Sequence, residues 1–311
     1  MTTPCWRHHA PLRTSCPSNL ATCRGRVGLV TTSTSANAPF RAVTQAGRAA
    51  IDAIAADPTG TLLACDFDGT LAPIVADPTA SRMLDQSRAA LAKLGPRLGR
   101  IAIVTGRPVA AVRDLGRLDG QAGLERVLVL GQYGQERWDA ATDTLDVPPE
   151  PVAVREAIAE LEGLLSRDDQ PAVVAGTSLE DKGRAVGVHT RRAADPAAAL
   201  AWLTGPVTEI AERHAMAIEP GRMVLELRSA TTSKGDALRS VVEAEGARVV
   251  VMCGDDLGDI PAFEYVHELP GGVCVVSGSP EQPQVAEHAD VLCQGPEGVA
   301  AFLQALAEAT R

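Results

Sequence analysis

The sequence has no excess of positive charge. Its 311 residues include 29 Lys and Arg against 39 Asp and Glu, which gives a formal net charge of −10 at pH 7. A protein that binds the phosphate backbone of nucleic acid needs a broad basic face to displace counterions. Nucleic acid is therefore not expected as a partner, and an anionic ligand would have to be held by a local group of cations or by a metal ion.

Paired cysteines and long apolar runs are also missing. The seven cysteines show no CxxC pair and no zinc-type spacing, and an odd number fits poorly with a secreted disulfide framework. No apolar run reaches the length of about 20 residues that a bilayer span requires, and the first residues lack the compact apolar core of a secretory signal. We therefore expect a cytoplasmic protein without a membrane partner. The sequence does not define the oligomeric state, and a monomer is favoured.

The hydrophobic pattern divides the chain into three parts. Residues 1–48 contain six arginines and no acidic residue, which predicts a disordered tail, although a transit peptide or an over-extended start would share this composition. From about residue 49, short β-branched runs alternate with helical ones, as in a parallel sheet with crossover helices. The block 139–228 instead has adjacent short strands with polar alternation, including predicted strands near 172–176 and 184–191, which indicates an antiparallel sheet.

The predicted fold is therefore α/β. A doubly wound parallel-sheet core is formed by residues 49–138 and 229–311, and an α+β unit of residues 139–228 is inserted into it.

Four polar groups stand at the ends of predicted strands or at the starts of the helices beside them. They are Asp66-Phe67-Asp68-Gly69-Thr70, Thr105-Gly106-Arg107, Ser233-Lys234-Gly235, and Gly254-Asp255-Asp256 with Asp259. Taken singly, each is as readily a turn or a helix cap. Together they would meet at the carboxyl ends of the strands, where parallel sheets bind ligands. Two acidic groups would repel each other there unless a cation lay between them, and carboxylate ligands favour Mg²⁺.

These groups, in this order, resemble the motifs of the haloacid dehalogenase superfamily. The matching segments are "DFDGTLAPI", "VTGRP", "SKGDAL" and "GDDLGD". The resemblance implies that Asp66 attacks phosphorus and forms an aspartyl-phosphate, and that Asp68 acts as the acid and base that a phosphatase needs. Enzymes that hydrolyse phosphate monoesters need rate accelerations approaching about 10²¹-fold. Acid–base catalysis alone supplies only about 10²- to 10⁴-fold, so a further contribution, such as a carboxylate nucleophile, is needed.

The same resemblance implies the remaining roles in the core. Thr105 and Lys234 would hold the phosphoryl oxygens, and Gly69, Thr70, Gly106 and Arg107 would line the phosphate site. Mg²⁺ would be bound by Asp66, the backbone carbonyl of Asp68 and Asp255, with Asp256 and Asp259 in support. The inserted unit would be a cap domain, which excludes water and selects the leaving group.

Segments of the cap resemble the trehalose-6-phosphate phosphatases. "LEDKGRAVGVHTR" and "EPGRMVLELRS" are similar to two motifs of that family, which implies that sugar hydroxyls are contacted by Glu180, Lys182, Arg191 and Glu226. Without the resemblance, Glu180, Lys182 and Arg191 would be interpreted as exposed ion pairs, and His189 as a structural residue. The sequence departs from the family at Tyr133, where His is usual, at Ser229, and in "GDDLGDIPAF".

The sequence therefore predicts a Mg²⁺-dependent phosphatase acting on a small-molecule substrate, trehalose 6-phosphate. An alternative is another sugar phosphatase with the same core, acting on sucrose phosphate or a glycosyl-phosphoglycerate. A non-catalytic sugar-phosphate sensor is a third hypothesis. It predicts loss of Asp66, Asp68 or Lys234, and all three are present.

Overall fold

The computed structural model describes residues 38–149, 151–221, 223–229, 232–280 and 282–310. Its helices and strands are, in chain order, β1 (Phe40–Ala42), α1 (Gln45–Ala56), β2 (Thr61–Cys65), α2 (Asp85–Leu94), β3 (Arg100–Val104), α3 (Val109–Gly116), β4 (Val127–Gly131), β5 (Glu136–Asp139), β6 (Thr144–Asp146), α4 (Val152–Leu165), β7 (Ser178–Asp181), β8 (Ala185–His189), α5 (Pro196–Arg213), β9 (Ala217–Gly221), β10 (Val224–Arg228), α6 (Lys234–Glu245), β11 (Val249–Gly254), α7 (Ile260–His267), β12 (Gly272–Gly278), β13 (Val291–Gln294) and α8 (Gly295–Ala309).

A nine-stranded sheet forms the core, in the order β1-β13-β12-β11-β2-β3-β4-β5-β6. The six strands from β13 to β4 in this order are parallel, and β1, β5 and β6 extend the sheet antiparallel at its two ends. Every residue of β2, β3 and β4 is buried. These strands are continuous apolar runs because both of their faces are covered.

Helices cover both faces of this sheet. Leu63 of β2 packs into a cluster with α1, α2, α3 and α8, whereas its neighbour Leu62 packs into a second cluster with α6 and α7. Successive residues of a strand point to opposite faces, so one strand supplies both clusters. The predicted doubly wound α/β fold is confirmed.

The cap consists of α4, α5 and a four-stranded antiparallel sheet in the order β7-β8-β10-β9. It has its own apolar cluster, which includes Val154 and Leu161 of α4, Leu203 and Val207 of α5, and Val186 of β8. Strand β10 leads back into the core just before α6, so the cap sheet lies beside the ends of the core strands that carry the predicted motifs.

Two predicted domain boundaries and one predicted strand are wrong. The predicted tail extends too far, because β1 pairs with β13 and α1 begins at Gln45; residues 1–37 lie outside the described residues. The predicted cap begins too early, because β5 pairs with β4 of the core sheet and β6 pairs with β5. The strand predicted near 172–176 is a single 3₁₀ turn at Ala172–Val174 that follows Pro171, since proline fixes φ and removes a backbone donor. The first strand of the cap is β7, which begins at Ser178.

No helix among the described residues is long and apolar enough to cross a bilayer.

Candidate active site

Asp66 and Lys234 meet at the carboxyl end of the parallel strands. Asp66 follows β2, and its N–H donates to the carbonyl of Cys253 in β11 at 2.8 Å. Lys234 is the first residue of α6, a start fixed by the reciprocal hydrogen bonds of Ser233 and Asp236. Its Nζ lies 2.9 Å from Oδ1 of Asp66 and 2.8 Å from Oδ1 of Asp259. Asp66 is 3% exposed and Lys234 4% exposed, so this pairing is isolated from bulk water.

A cluster of carboxylates surrounds this lysine. Oxygen atoms of Asp66, Asp255 and Asp259 all lie within 4.8 Å of one another. Both oxygens of Asp259 already accept hydrogen bonds, Oδ1 from Lys234 and Oδ2 from the amides of Asp255 and Asp256 at 2.9 and 3.1 Å. Asp259 therefore shapes the loop after β11, which leaves Asp66 and Asp255 as the carboxylates available to a cation.

Burial raises the pKa of the clustered carboxyls. The pKa of Asp66 lies well above its usual value because of burial, opposed by Lys234 and reinforced by the neighbouring carboxylates. Burial and the charge of Asp66 raise the pKa of Asp255 in the same way, and burial raises that of Asp259 to about 6. Burial opposes the charge of Lys234, but the carboxylates outweigh it and its pKa is raised well above the usual value. One lysine does not offset the charges of three carboxylates, so the cluster favours a further cation.

The donor set fits Mg²⁺. Every available donor is a carboxylate oxygen, and Mg²⁺ binds to a few hard oxygen ligands. Oδ1 of Asp256 is buried and has no hydrogen-bond partner among the described residues, although Nζ of Lys234 lies 3.9 Å away. An oxygen left without a donor beside two buried carboxylates is suited to a cation or to a water molecule bound to it. Asp66 and Asp255 would hold the ion, with Asp256 beside them.

Gly69 and Thr70 contact the carboxylate of Asp255 in this structure. Gly69 has φ +74°, and a Cβ at this position would lie 2.0 Å from Oδ2 of Asp255. Thr70 is fully buried, and its Oγ1 donates to Oδ1 of Asp255 at 3.3 Å. In this structure Gly69 makes room for Asp255 and Thr70 orients it, and their predicted place at the phosphate site stays a prediction.

Asp68 and Arg107 form a bidentate ion pair. Nε of Arg107 donates to Oδ2 of Asp68 at 2.5 Å, and its NH2 group donates to Oδ1 at 2.7 Å. Ser81 Oγ also donates to Oδ1 of Asp68, at 3.2 Å. Burial opposes the charge of Arg107, but Asp68 raises its pKa, so the guanidinium stays charged. Both residues line the cavity that also contains Asp66 and Lys234. In this structure the guanidinium of Arg107 binds the carboxylate of Asp68.

Thr105 and Gly106 follow β3 on the same side of the sheet. The amide of Thr105 donates to the carbonyl of Leu130 at 3.0 Å, and its Oγ1 accepts from the amide of Arg107 at 3.2 Å. Both residues line the cavity that contains Asp66 and Lys234. A Cβ at Gly106 would lie 2.9 Å from the hydroxyl of Tyr133, so this loop is packed directly against the next one.

The cap contributes charged pairs to the opposite wall. Lys182 is ion-paired with Glu226, and Glu226 raises the pKa of this lysine against the effect of burial. Oε2 of Glu180 lies 2.7 Å from Nε2 of His189, and this hydrogen bond lowers the pKa of Glu180 against the effect of burial. His189 therefore orients a predicted sugar contact, a role that the sequence did not indicate.

Core and cap enclose a cavity of about 250 Å³. Its lining includes Asp66, Thr105, Lys234 and Asp255 from the core and Lys182 and Glu226 from the cap. A second cavity of about 750 Å³ adjoins it and is lined by Glu180 and His189 among others. Arg191 is exposed and lines both cavities, without a hydrogen bond or ion pair to any described residue.

Sequence reasoning missed two residues of this cavity, Tyr133 and Glu219, and the arginine that pairs with Glu219. Tyr133 was noted only as a departure from a family pattern, and Glu219 was not singled out. Glu219 lies directly opposite Glu226 on the neighbouring strand, and Arg228 pairs with it at 2.6 Å. The spacing of Glu226 and Arg228 by two residues placed both on one face of β10 and could have indicated Arg228.

The chain matches known proteins over most of its described length. The family model for trehalose-phosphatase matches residues 64–294. A trehalose-phosphate phosphatase of Mycobacterium avium is 31% identical over 250 residues, which cover 78% of this chain and 61% of the relative. An uncharacterized glycosyl hydrolase of Mycobacterium tuberculosis is 32% identical over 223 residues, which cover 68% of this chain and 16% of the relative. The chain thus spans less than two thirds of the length of these curated relatives.

Solved structures share the fold. A trehalose-6-phosphate phosphatase related protein superposes with a TM-score of 0.62 at 22% identity, covering 79% of this chain and 97% of the other. The C-terminal domain of trehalose-6-phosphate phosphatase from C. albicans gives a TM-score of 0.69 at 19% identity, covering 88% and 99%. The ordered motifs, their meeting at one end of the sheet and the match over residues 64–294 agree, and the chain belongs to the trehalose-phosphatase family.

Proposed function

We propose that the chain is a Mg²⁺-dependent phosphatase that converts trehalose 6-phosphate to trehalose and phosphate. The observation that carries this proposal is the buried Asp66–Lys234 pair beside Asp255, which opens into a cavity with Lys182 and Glu226 on its far wall. The names of the curated relatives support the same substrate.

Asp66 is the proposed nucleophile. One of its oxygens forms a bond to phosphorus while the bond from phosphorus to the sugar oxygen breaks, and Asp68 gives its proton to that oxygen. Asp68 then takes a proton from water, the water oxygen attacks phosphorus, and the bond to Asp66 breaks with release of phosphate. Two displacements thus replace one difficult hydrolysis.

We expect the contacts of Asp68 to change when it carries this proton. Both of its oxygens accept N–H groups of Arg107 in this structure. A proton on either oxygen weakens the hydrogen bond that this oxygen accepts, so we expect at least one of these hydrogen bonds to open when the substrate is bound. Arg107 is then free to pair with the phosphate, which agrees with its place in the lining of the cavity.

Lys234 and Thr105 would hold the phosphoryl oxygens. Lys234 stays charged because the surrounding carboxylates raise its pKa, and a buried cation stabilises the charge of the transferring group more strongly than an exposed one. Bound by Asp66 and Asp255, Mg²⁺ would add positive charge beside the same oxygens.

The cap would bind the disaccharide. Lys182 and Glu226 present a charged donor and acceptor to the first cavity and Glu180 an acceptor to the second, and charge-assisted hydrogen bonds to hydroxyl groups are strong. Arg191 adds an exposed cation at the junction of the two cavities. A cytoplasmic location is part of the proposal, supported by the free, buried state of Cys65, Cys253, Cys274 and Cys293, and a monomer is proposed with it.

Phosphate release from a panel of sugar phosphates, measured with Mg²⁺ and with EDTA, tests the proposal. We expect the highest kcat/KM with trehalose 6-phosphate and loss of activity in EDTA that added Mg²⁺ restores. Preference for sucrose phosphate or a glycosyl-phosphoglycerate would contradict the substrate, activity in EDTA would contradict the metal, and trehalose 6-phosphate binding without turnover would indicate a sensor.

A further inference from the structure

Tyr133 is held in an unusual backbone conformation. Its φ of 58° and ψ of 35° are left-handed, a region that side chains other than glycine rarely adopt and that costs about 1 kcal/mol or more. Its amide donates to the carbonyl of Thr105 at 3.0 Å. The surrounding structure therefore fixes this residue against the loop that is expected to hold the phosphoryl group.

The side chain of Tyr133 reaches from the core to the cap. Its hydroxyl donates to Oε1 of Glu226 at 3.3 Å, while Oε2 of Glu226 pairs with Lys182. Burial, and after it the charge of Glu226, raises the pKa of Tyr133, so the phenol stays protonated as a donor. Each oxygen of Glu226 thus has a partner, one from the core and one from the cap.

The guanidinium of Arg228 packs against the face of the Tyr133 ring. The guanidinium of Arg228 lies 4.1 Å from the ring centroid, and its NH2 group donates to Glu219 at 2.6 Å. The hydroxyl end also packs against Gly106, where a Cβ would be 2.9 Å away. One rigid side chain therefore sets the distance between the Thr105–Gly106 loop and the carboxylate of Glu226.

We propose that Tyr133 is a positioning residue: it holds Glu226 at a fixed distance from the phosphate-binding loop and thereby sets the affinity for the sugar part of the substrate. This inference rests on the proposed function as a sugar phosphatase. A substrate with a phosphate but no sugar does not extend to Glu226, and it should depend on Tyr133 much less.

The chain offers a matched control, because it contains two tyrosines. Tyr265 in α7 is also largely buried and also lies beneath an arginine, with Arg239 4.6 Å from its ring centroid. It packs in the apolar cluster of α6 and α7 and does not line the cavity. Tyr265→Phe removes the same hydroxyl group from a position without access to substrate.

The experiment compares KM and kcat of Tyr133→Phe, Tyr265→Phe and the unaltered chain, with trehalose 6-phosphate and with p-nitrophenyl phosphate. For Tyr133→Phe we expect KM for trehalose 6-phosphate to rise roughly three- to tenfold, the effect of one hydrogen bond, with a much smaller change in its kcat. This rise in KM should exceed any rise in KM for p-nitrophenyl phosphate. Tyr265→Phe should leave the KM for both substrates unchanged.

A second pair of variants separates positioning from general damage. In a Glu226→Gln background, Tyr133→Phe should raise KM less than it does alone, because the partner that it orients is already altered. Equal losses with both substrates, an unchanged KM, or full additivity with Glu226→Gln would each overturn the inference. The proposed function is decided separately, by turnover of trehalose 6-phosphate by the unaltered chain; if another sugar phosphate is preferred, the same ratios are measured with it.

Discussion

Arg107 and Asp68 form the closest charged contact between the first two motifs, with hydrogen bonds of 2.5 and 2.7 Å. Arg107 also donates to the carbonyl of Pro78 at 2.9 Å, which ties this pair to the loop after β2. The guanidinium thus orients the carboxyl group that is proposed to carry the proton.

Replacing Arg107 should lower kcat less than replacing Asp68. Arg107→Ala removes the orientation of the carboxyl but leaves the group in place, so we expect kcat to fall about 10- to 100-fold, against about 10²- to 10⁴-fold for Asp68→Asn. Arg107→Lys keeps the charge but not the bidentate geometry and should lie between the unaltered chain and Arg107→Ala. Steady-state kinetics with trehalose 6-phosphate measure all three, and equal effects of Arg107→Ala and Asp68→Asn would contradict an orienting role.

Replacing the proposed nucleophile should remove turnover without unfolding the protein. Asp66→Asn should reduce kcat by about 10³-fold or more, because the neutral amide is a poor nucleophile and cannot form the aspartyl-phosphate. Lys234 keeps its contact with Asp259, so the metal-free melting temperature should not fall. Phosphate release and thermal unfolding check both points, and turnover that survives in Asp66→Asn would refute the nucleophile.

The acidic residues after β11 should differ in their effect on Mg²⁺. Asp255→Asn should raise the Mg²⁺ concentration for half-maximal activity by about tenfold or more, since Thr70 and Gly69 hold this carboxyl in place. Asp256→Asn should have a smaller effect, because the Asp256 side chain is half exposed. Isothermal titration of Mg²⁺ provides a measurement independent of activity, and the reverse order would contradict the assignment of Asp255.

Stability of the metal-free protein should fall as the pH rises. Burial raises the pKa of Asp259 from 3.8 to about 6, and those of Asp66 and Asp255 well above their usual value. The folded state therefore binds more protons than the unfolded state, and this stabilisation is complete below the ordinary carboxyl pKa and is lost through about pH 6. In EDTA, urea titrations should give a free energy of unfolding that decreases between about pH 5 and pH 7.

Saturating Mg²⁺ should remove most of this decrease, because the cation takes the place of the protons among the carboxylates. Asp255→Asn should reduce the slope in EDTA, since one of the groups with a raised pKa is gone. A slope that is the same with and without Mg²⁺ would show that other groups cause it.

Breaking the ion pair in the cap should affect both binding and stability. Lys182→Ala leaves Glu226 only 9% exposed without its cation, and removal of one partner of a buried pair costs about 3 kcal/mol or more. We expect a lower melting temperature together with an increase in KM for trehalose 6-phosphate of about tenfold. Arg213→Ala, which breaks an exposed pair with Glu160 on the cap helices, is the control and should change neither by a comparable amount.

The sequence was a good guide to the catalytic end of the sheet. Asp66 and Asp255 each follow a continuous apolar run, and neighbouring parallel strands must bring such ends together. Lys234 could be placed because Ser233 and Asp236 form a helix-capping pattern before an apolar repeat. These predictions depend on apolar runs and a helix cap, and the tertiary structure retains both of these local patterns.

The contacts of long or small side chains could not be predicted in this way. Arg107 turns to Asp68 and Thr70 to Asp255 because partners distant in sequence lie there, and no local pattern encodes such a choice. The predicted core ends at residue 138, inside β5, because the strand that follows, β6, is exposed and gives no apolar period. Strand β1 has three residues, too few for any period, and it exists because β13 pairs with it.

That short first strand constrains how the protein can be shortened for study. If the chain were cut at residue 49, β13 would lose its outer neighbour and present a row of unsatisfied backbone groups that a second molecule could extend. Preparations trimmed to the apparent start of the α/β pattern are thus expected to self-associate while every proposed catalytic residue is still in place.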